Sequence, residues 1–436
     1  MMWDRRDALK LFLWAGAAAS LPRQALAVAN EVPTFTLDNG MRLHFVPTGA
    51  RYVSAALVLR SKEIFGRGGL AHILEHTSFT GAAGPLSAKD VKLRHRDCIQ
   101  DSNASTTPGM IEWRAAFLPK YLPDVLELLA YISLEQKFDV ETVASEARIV
   151  LQELYLDKYG SDGGLKKRYS AALFGSDHPF ALDTTDEEIA KARTEPAKLA
   201  AELRDYSTLI RLPANLDLFV VGDIERVPME KLVSASFGRY PFAKGPYLEL
   251  PNAGPTRAHR ALSGMSPELK QPLSEVKVAW NTGVRITDPE ARTLLALSEY
   301  LNDVLFAELR EKHGDTYSPG ARYEPDSCSG IFTISVTSSK RPSQVEERIF
   351  ETIEKLKREV DASGLIRFQE RLLLKRLKTL ESSDARLDAI IDRVTDGGSV
   401  EDFDLASVSP EDVVAAGRKY LPTYQGAYVR AVLKGK

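Results

Sequence analysis

His72, Glu75 and His76 are the residues whose types and spacing point most directly to chemistry. They belong to the string His72-Ile73-Leu74-Glu75-His76, an H-x-x-E-H pattern that reverses the H-E-x-x-H order of a common zinc-binding helix. Residues four apart lie on one face of a helix, so both imidazoles can point at one metal ion. Glu75 can lie beside that ion as a general base. A catalytic zinc has three protein ligands and one open position, so a third ligand must come from elsewhere.

The surroundings of the motif bear on whether it binds a metal. A partly exposed helix that carries two surface histidines and an adjacent acid is the alternative interpretation. The neighbouring apolar residues favour a largely buried helix instead: Ala71, Ile73, Leu74 and Phe79. Buried imidazoles need polar partners, because an unpaired buried polar group is costly. A metal ion would satisfy both histidines.

A second helix is predicted over residues 140–159, where apolar residues follow a helical period. Glu146 and Glu153 lie seven residues apart on this helix, which places them two turns apart on one face. They border the apolar stripe. Charged groups near a core are normally paired or bound to a metal, so either glutamate is a candidate ligand. The helical pattern by itself favours the alternative interpretation, the solvated edge of an amphipathic helix.

These motifs together resemble the pitrilysin/insulinase family of zinc peptidases, whose superfamily includes mitochondrial processing peptidase. The similarity lies in H-x-x-E-H, a glutamate 77 residues after His76, and another glutamate seven residues before that one. The resemblance implies that His72, His76 and Glu153 bind Zn²⁺. It implies that Glu75 is the general base and that Glu146 orients a ligand.

The resemblance extends over the chain that follows residue 27. Residues 35–42 resemble the family's opening strand and turn, and residues 220–224 resemble a strand late in the first domain. Residues 101–106 resemble its Asn-Ala-x-Thr segment, which implies that Asn103 and Ala104 contact substrate. Residues 309–318 resemble a segment with an Arg/Tyr pair, which implies that Arg310 and Tyr317 reach a substrate at the metal. The local sequence alone favours the alternative, a surface arginine and a structural tyrosine; the match over the whole chain favours the pair.

Two segments depart from the family pattern. Residues 79–83 lack the usual Gly-Thr after the aromatic residue, and residues 91–100 are more basic than the family leads us to expect. Both departures leave the substrate preference open.

Composition narrows the class of protein. A chain of 436 residues with 44% hydrophobic and 27% charged residues is typical of an ordinary globular protein with two or three domains. A net charge of −3 gives no bulk electrostatic reason to bind nucleic acid. Cys98 and Cys328 fall in different halves of the chain and lack metal-ligand spacing, so we expect two free thiols. A disulfide between them, formed in an oxidising compartment, is the alternative.

Residues 1–27 are typical of an export signal. Arg5 and Arg6 precede an apolar run over residues 11–21, and Ala25-Leu26-Ala27 is a small-x-small cleavage site. The paired arginines favour the twin-arginine route and a periplasmic location. The apolar run is short for a membrane span, so we expect no stable span after cleavage; an uncleaved anchor is the alternative.

The order of elements predicts an α+β protein of two domains with similar topology, each a mixed, mainly antiparallel sheet packed with helices. We place an N-terminal metal-binding domain at residues 28–242, a Pro/Gly-rich linker at 243–270 and a C-terminal domain at 271–436. Helices are expected to continue from residue 342 to the end of the chain.

The sequence therefore predicts a zinc-dependent endopeptidase that hydrolyses peptides or small unfolded polypeptides through a zinc-bound water activated by Glu75. Substrate would add as a strand to the sheet edge near Asn103. The family's working unit has four such domains, which implies a homodimer of this chain or a heterodimer with a related subunit. The alternatives are a non-catalytic peptide-binding or structural subunit and a dedicated precursor-maturation peptidase.

Overall fold

The computed structural model describes residues 32–65, 67–156, 165–182, 186–245, 249–266, 268–316 and 318–435. The expected export signal lies outside these residues. Within them the chain forms two sheets and a set of α-helices. The predicted α+β class is therefore confirmed.

The strands divide between the two sheets without exchange. The first sheet contains β1 (Thr34–Thr36), β2 (Arg42–Pro47), β3 (Val53–Arg60), β4 (Asp101–Thr107), β5 (Met110–Phe117) and β6 (Leu216–Gly222). The second contains β7 (Arg260–Ser266), β8 (Ser274–Asn281), β9 (Gly320–Pro325), β10 (Gly330–Ser338) and β11 (Val429–Gly435).

In the described residues, eight α-helices lie in the first half of the chain and five in the second half. The first group is α1 (Gly68–Ser78), α2 (Ala88–Cys98), α3 (Leu122–Leu134), α4 (Val140–Tyr155), α5 (Leu165–Phe174), α6 (Asp186–Thr194), α7 (Pro196–Ile210) and α8 (Arg226–Phe237). The second group is α9 (Ala291–Leu305), α10 (Pro342–Leu356), α11 (Ala362–Glu381), α12 (Ser383–Thr395) and α13 (Pro410–Tyr420). A π-helical segment, Phe306–Lys312, continues α9.

The two sheets have the same topology. The first has the order β1-β2-β6-β3-β5-β4 and the second β7-β11-β8-β10-β9. If β1 is set aside, the strands correspond one to one in chain order. In each sheet one parallel pair, β2/β6 or β7/β11, is followed by three antiparallel pairs. The chain thus contains two domains of like fold, as predicted.

Two strands lie where the sequence predicted other structure. β7 occupies residues 260–266, inside the segment 243–270 for which we predicted a linker. Its sequence lacks the apolar alternation that marks a strand, and most of its residues are exposed. β11 ends the described chain, where continuing helices were expected. It pairs with β7 and β8 through long-range contacts that local periodicity does not contain.

Each half contributes a helix to the sheet of the other half. Leu387, Ile390 and Ile391 of α12 pack against buried residues of β3 and β6. In return, Leu173 of α5 packs against Ala279 of β8 and Val429 of β11. Every residue of β3 and β6 is buried, because α12 covers the face opposite the helices of the first half. This reciprocal packing joins the two halves through apolar surfaces.

A buried charge network fixes the centre of the first sheet. Asp217 of β6 accepts hydrogen bonds from Arg42, at 2.6 Å, and Arg60, at 2.9 Å, and its carboxylate lies 2.8 Å from His44 Nε2. Burial acts to raise the pKa of Asp217, but the His44 and Arg42 hydrogen bonds and the Arg60 charge hold it well below its usual range. The ionised carboxylate ties β2, β3 and β6 together.

Cys98 and Cys328 are buried, free thiols, as expected. In the described part of the chain, no helix combines the length and apolarity that crossing a bilayer requires.

Candidate metal centre and active site

Helix α1 presents the H-x-x-E-H motif at the border of the first core. Leu70, Ala71, Ile73 and Leu74 are fully buried and fix the helix against the sheet. His72 and His76 lie on the adjacent face of the same helix, where their side chains are half-buried. Their ring centroids are 4.7 Å apart and nearly perpendicular, as expected for residues one turn apart.

Helix α4 brings the second part of the site. The side chain of Asp139 caps its N-terminus by accepting a hydrogen bond from Thr142 N. The helix then places Glu146 and Glu153 on the face that meets α1. The Oε2 atom of Glu153 lies 3.4 Å from His72 Nε2 and 3.5 Å from His76 Nε2. Glu146 Oε2 lies 3.4 Å from His76 Nδ1, the nitrogen on the other side of that ring.

These distances are suitable for a tetrahedral zinc site. Donor atoms bound at zinc's usual distance lie about 3.3–3.4 Å from one another at the corners of a tetrahedron. The Glu153 oxygen has that separation from both imidazole nitrogens. Two imidazoles and one carboxylate are also a donor set that zinc takes in catalytic sites. The side chain of Glu153 is 47% exposed, so the cluster is open to solvent and to a substrate.

The carboxylate of Glu75 is oriented by a hydrogen bond from the sheet. Its Oε2 accepts from Thr106 Oγ1 of β4 at 2.7 Å, and only 8% of the residue is exposed. The potential ligand atoms of His72, Glu75 and His76 nevertheless lie within 4.8 Å of one another. Glu75 is therefore beside the histidines, with its carboxylate oriented by a neighbour. Our reading of the sequence missed Thr106 as this partner, although the Asn-Ala-x-Thr segment contains it.

The protonation of the site follows from its burial. Burial and the neighbouring His76 lower the pKa of His72, which favours the neutral imidazole that binds metals. Burial raises the pKa of Glu75, while the Thr106 hydrogen bond opposes that shift. A carboxyl with a raised pKa accepts protons readily, as a general base must.

Strand β4 forms an edge of the first sheet next to α1. Within the described residues it pairs on one side only, with β5. Ala104 and Thr106 face inward and are half-buried, whereas Asn103 and Ser105 are exposed. The two predicted substrate-binding residues thus lie on opposite faces of one unpaired edge. An extended peptide can add to such an edge through main-chain hydrogen bonds.

The predicted Arg/Tyr pair lies in the second half. Arg310 is in the π-helical segment after α9, with its guanidinium carbon 4.9 Å from the ring centroid of Phe306. Among the described residues, no hydrogen bond or ion pair joins it to the histidines. Tyr317 lies outside the described residues. Its neighbour Thr316 is anchored by a 2.6 Å hydrogen bond to Thr337 O.

The H-x-x-E-H motif occurs in the first half of the sequence only. Helix α9 follows β8, the counterpart of β3, as α1 follows β3, and its sequence has no histidine. Among the described residues, His72, Glu75 and His76 form the one group of three or more histidine, cysteine or acidic side chains whose potential ligand atoms all lie within 4.8 Å of one another. Glu153 lies outside that group but within 3.5 Å of one nitrogen of each histidine. The two domains therefore share a fold but differ in chemistry.

Curated proteins similar to this chain include bacterial proteins named as zinc proteases. One from Mycobacterium bovis, named an uncharacterized zinc protease, is 25% identical over 270 residues, which is 61% of this chain and 60% of that protein. One of the same description from Rickettsia felis is 23% identical over 308 residues, covering 70% and 72%. The mitochondrial-processing peptidase subunit beta of Dictyostelium discoideum is 23% identical over 155 residues, covering 35% and 33%. The chain thus spans about 60% of the length of the mycobacterial relative.

Solved structures share the fold over nearly the whole chain. A protease from Helicobacter pylori has a TM-score of 0.76 at 18% identity, covering 93% of this chain and 99% of that one. The periplasmic protease PqqL from Escherichia coli has a TM-score of 0.74 at 14% identity. That likeness covers 93% of this chain but 47% of the Escherichia coli chain.

Two family models match consecutive parts of the chain. The one described as insulinase (peptidase family M16) matches residues 66–172, which contain the histidine motif and both helix α4 glutamates. The one described as the peptidase M16 inactive domain matches residues 198–372, which contain Arg310. The resemblance noted from the sequence is confirmed: this chain belongs to the insulinase family of peptidases, family M16.

Proposed function

We propose that this protein is a zinc-dependent endopeptidase that hydrolyses peptides or small unfolded polypeptides. One observation carries the proposal: the Glu153 oxygen lies within 3.5 Å of the Nε2 atoms of both His72 and His76, with the oriented carboxylate of Glu75 beside them. When bound, zinc supplies a Lewis acid that polarises the scissile carbonyl and lowers the pKa of the attacking water.

The residues of the chain have separate tasks in this proposal. Glu75 takes the proton from the attacking water and passes it to the leaving amine. The Thr106 hydroxyl holds the Glu75 carboxylate in place, and Glu146 orients His76 through its Nδ1 atom. An extended substrate lies along β4, next to the site. Arg310 and Tyr317 would anchor the substrate and donate to its developing oxyanion, roles that the family resemblance suggests.

The test is the zinc content and peptide hydrolysis of the purified chain beside Glu75→Gln and Glu153→Gln. We expect about one zinc per wild-type chain. Glu75→Gln should keep the metal and lose hydrolysis, because it removes the base without removing a ligand. Glu153→Gln should lose the metal. Glu141→Gln, an exposed change in the first turn of α4, is the matched control and should alter neither property.

The outcomes separate the alternatives. If wild type binds zinc and cleaves a single precursor but no peptide library, the chain is a dedicated maturation peptidase. If it takes up no zinc after loading, it is a non-catalytic subunit and the peptidase proposal is wrong. A Glu75→Gln variant with full activity would refute the assignment of the base.

We further propose that the chain works as a dimer, either with itself or with a related subunit. The Escherichia coli protease named above is about twice as long as the part that matches this chain. The Dictyostelium relative is named as a subunit. Both observations support a working unit that contains more than two such domains.

The proposed location is the periplasm, after export by the twin-arginine route. The support is the signal-like pattern of residues 1–27 and a structural neighbour that is named as a periplasmic protease. Mass spectrometry of the exported protein should find Val28 as its first residue. Replacement of Arg5 and Arg6 by Lys should retain the protein in the cytoplasm; export that continues unchanged would contradict the route.

A further inference from the structure

A cavity of about 330 Å³ lies in the first domain, away from the histidine motif. It opens between the end of α3, the last turns of α7 and the segment after α8. Its walls are mainly apolar, and its floor is polar and buried. The apolar lining comprises Leu134, Phe138, Leu212, Pro213, Tyr240 and Pro241.

Arg211 lines this cavity as a buried and largely unsatisfied cation. Only 7% of the residue is exposed. Its Nη1 donates to Ser207 Oγ at 3.2 Å, but Nε and Nη2 have no hydrogen-bond partner. The guanidinium carbon lies 5.7 Å from the ring centroid of Phe138. A buried charge normally has a counter-ion, because its desolvation is otherwise uncompensated.

The described protein supplies no such counter-ion. No carboxylate among the described residues forms an ion pair with Arg211, and burial lowers its pKa to about 9 without an opposing charge. Glu135, the neighbour in sequence of the cavity-lining Leu134, is bonded instead to Arg239 and Tyr240. Arg211 follows the last residue of α7, so the C-terminal dipole of that helix offsets part of the charge. The dipole does not satisfy Nε or Nη2.

A second buried polar group lines the same cavity without a partner. Gln136 is 8% exposed, and both its Oε1 and its Nε2 lack a hydrogen bond. Its amide nitrogen is a donor of the kind that completes a carboxylate site. At the rim, the exposed Arg204 adds a second positive charge, anchored by a hydrogen bond to Phe138 O at 3.1 Å. The cavity thus combines two donor groups at its floor, a positive rim and apolar walls.

We propose that this cavity binds an organic carboxylate that carries an apolar group. The carboxylate would pair with Arg211 and accept from Gln136, and the apolar group would pack against Phe138 and Leu212. A guanidinium recognises a carboxylate through two parallel hydrogen bonds, for which the two open nitrogens of Arg211 are available. The apolar walls exclude a simple inorganic anion as the best ligand. A free C-terminal residue of a peptide and a small carboxylic acid both have this chemistry.

Calorimetric titration of the full chain tests the proposal. The probes are N-acetyl-leucine, its uncharged analogue N-acetyl-leucinamide and inorganic phosphate. The acid should bind at least about tenfold more tightly than the amide, because the amide lacks the charge that pairs with Arg211. Phosphate should bind more weakly than the acid. A short peptide ending in leucine, as free acid and as amide, distinguishes the two sources: peptide C-termini if the acid form binds, small acids alone if it does not.

The variants are Arg211→Met, Gln136→Leu and, as the matched control, Arg193→Gln, an exposed arginine on α6 that does not line the cavity. Arg211→Met should abolish the preference for acid over amide. It should also raise the Tm of the ligand-free chain, because it removes a buried, unpaired charge. Gln136→Leu should weaken acid binding by about tenfold, and Arg193→Gln should change nothing.

Three results would overturn the proposal. They are equal binding of acid and amide, no binding of either, and acid binding that survives Arg211→Met. If Arg211→Met fails to fold, Gln136→Leu decides by the same comparison. Zinc content and hydrolysis should be unchanged in Gln136→Leu, so the cavity and the proposed peptidase site are tested separately.

Discussion

At the scale of single residues, Glu75 and Glu153 differ in what surrounds them rather than in type. Glu153 faces the Nε2 atoms of both histidines and is half exposed. Glu75 is buried and accepts a hydrogen bond from Thr106 on the neighbouring strand. An oriented carboxylate beside a metal site can move protons, whereas one aimed at both imidazoles is placed to bind the ion. The surroundings of the two glutamates thus differ in the way that the proposed roles of base for Glu75 and ligand for Glu153 require.

Thr106→Val tests whether the orientation of Glu75 matters. The variant should lose about tenfold in kcat with little change in KM or zinc content, because the Glu75 carboxylate loses its one described hydrogen bond. Thr107→Val is the matched control, since Thr107 is the next residue of β4 and points to the opposite, exposed face. Steady-state kinetics and metal analysis give the answer. Equal losses in both variants, or loss of zinc in Thr106→Val, would argue against a positioning role.

Prediction from the sequence succeeded where local pattern carries the information. The spacing of His72 and His76 fixes one helical face, and the apolar period of α4 sets the face of Glu146 and Glu153. The contact between Thr106 and Glu75 joins residues 31 apart in sequence on a strand and a helix. The unpaired state of Arg211 likewise depends on which carboxylates the fold brings near. Neither is contained in periodicity, because both are set by tertiary packing.

At the scale of elements, the exchange of α5 and α12 between the halves was not expected. The sequence shows each helix as amphipathic but not which sheet its apolar face will cover. The same limit explains β7, an exposed edge strand inside the expected linker, and β11, whose partners are far away in the chain. The repeated strand order reveals both, since each strand of the second sheet has a counterpart in the first.

The contact of α12 with the first sheet should depend on pH. Burial, followed by the nearby Asp396 and Asp388, raises the pKa of Asp392 on α12 to about 7; Glu112 of β5 adds to the shift and Arg114 of β5 opposes it. Between about pH 4 and about pH 7, Asp392 is therefore protonated in the native state but ionised in the unfolded chain. Stability should fall as the pH rises from about 4 to about 7.

Asp392→Asn removes this ionisation. The variant should have a Tm about 3 °C above wild type at pH 8 and little difference at pH 5, measured by scanning calorimetry. The exposed Asp404→Asn, also in the second half, is the control and should show the same difference from wild type at both pH values. A variant that is destabilised at pH 8 would show that the ionised carboxylate stabilises the contact instead.

At the scale of the whole molecule, the H-x-x-E-H motif lies in the first domain, whereas Arg310 lies in the second domain of the same fold. The described contacts of Arg310 do not connect it to the histidines of its own chain. A dimer in which each chain contributes Arg310 to the site of its partner would unite the two. Such a composite site makes a quantitative prediction about mixtures, because the two different defects then fall in the same site of a mixed dimer and leave its other site intact.

Glu75→Gln and Arg310→Ala should each be inactive alone. Co-expressed in equal amounts, half of their dimers are mixed, and each mixed dimer has one site with both intact residues and one with neither. The mixture should recover about a quarter of wild-type activity if the site is shared between chains. It should recover none if each chain completes its own site. Analytical ultracentrifugation of the same sample must show a dimer, and an active wild-type monomer would refute the shared site. Arg310→Ala that stays fully active would instead remove Arg310 from the mechanism, whatever the assembly.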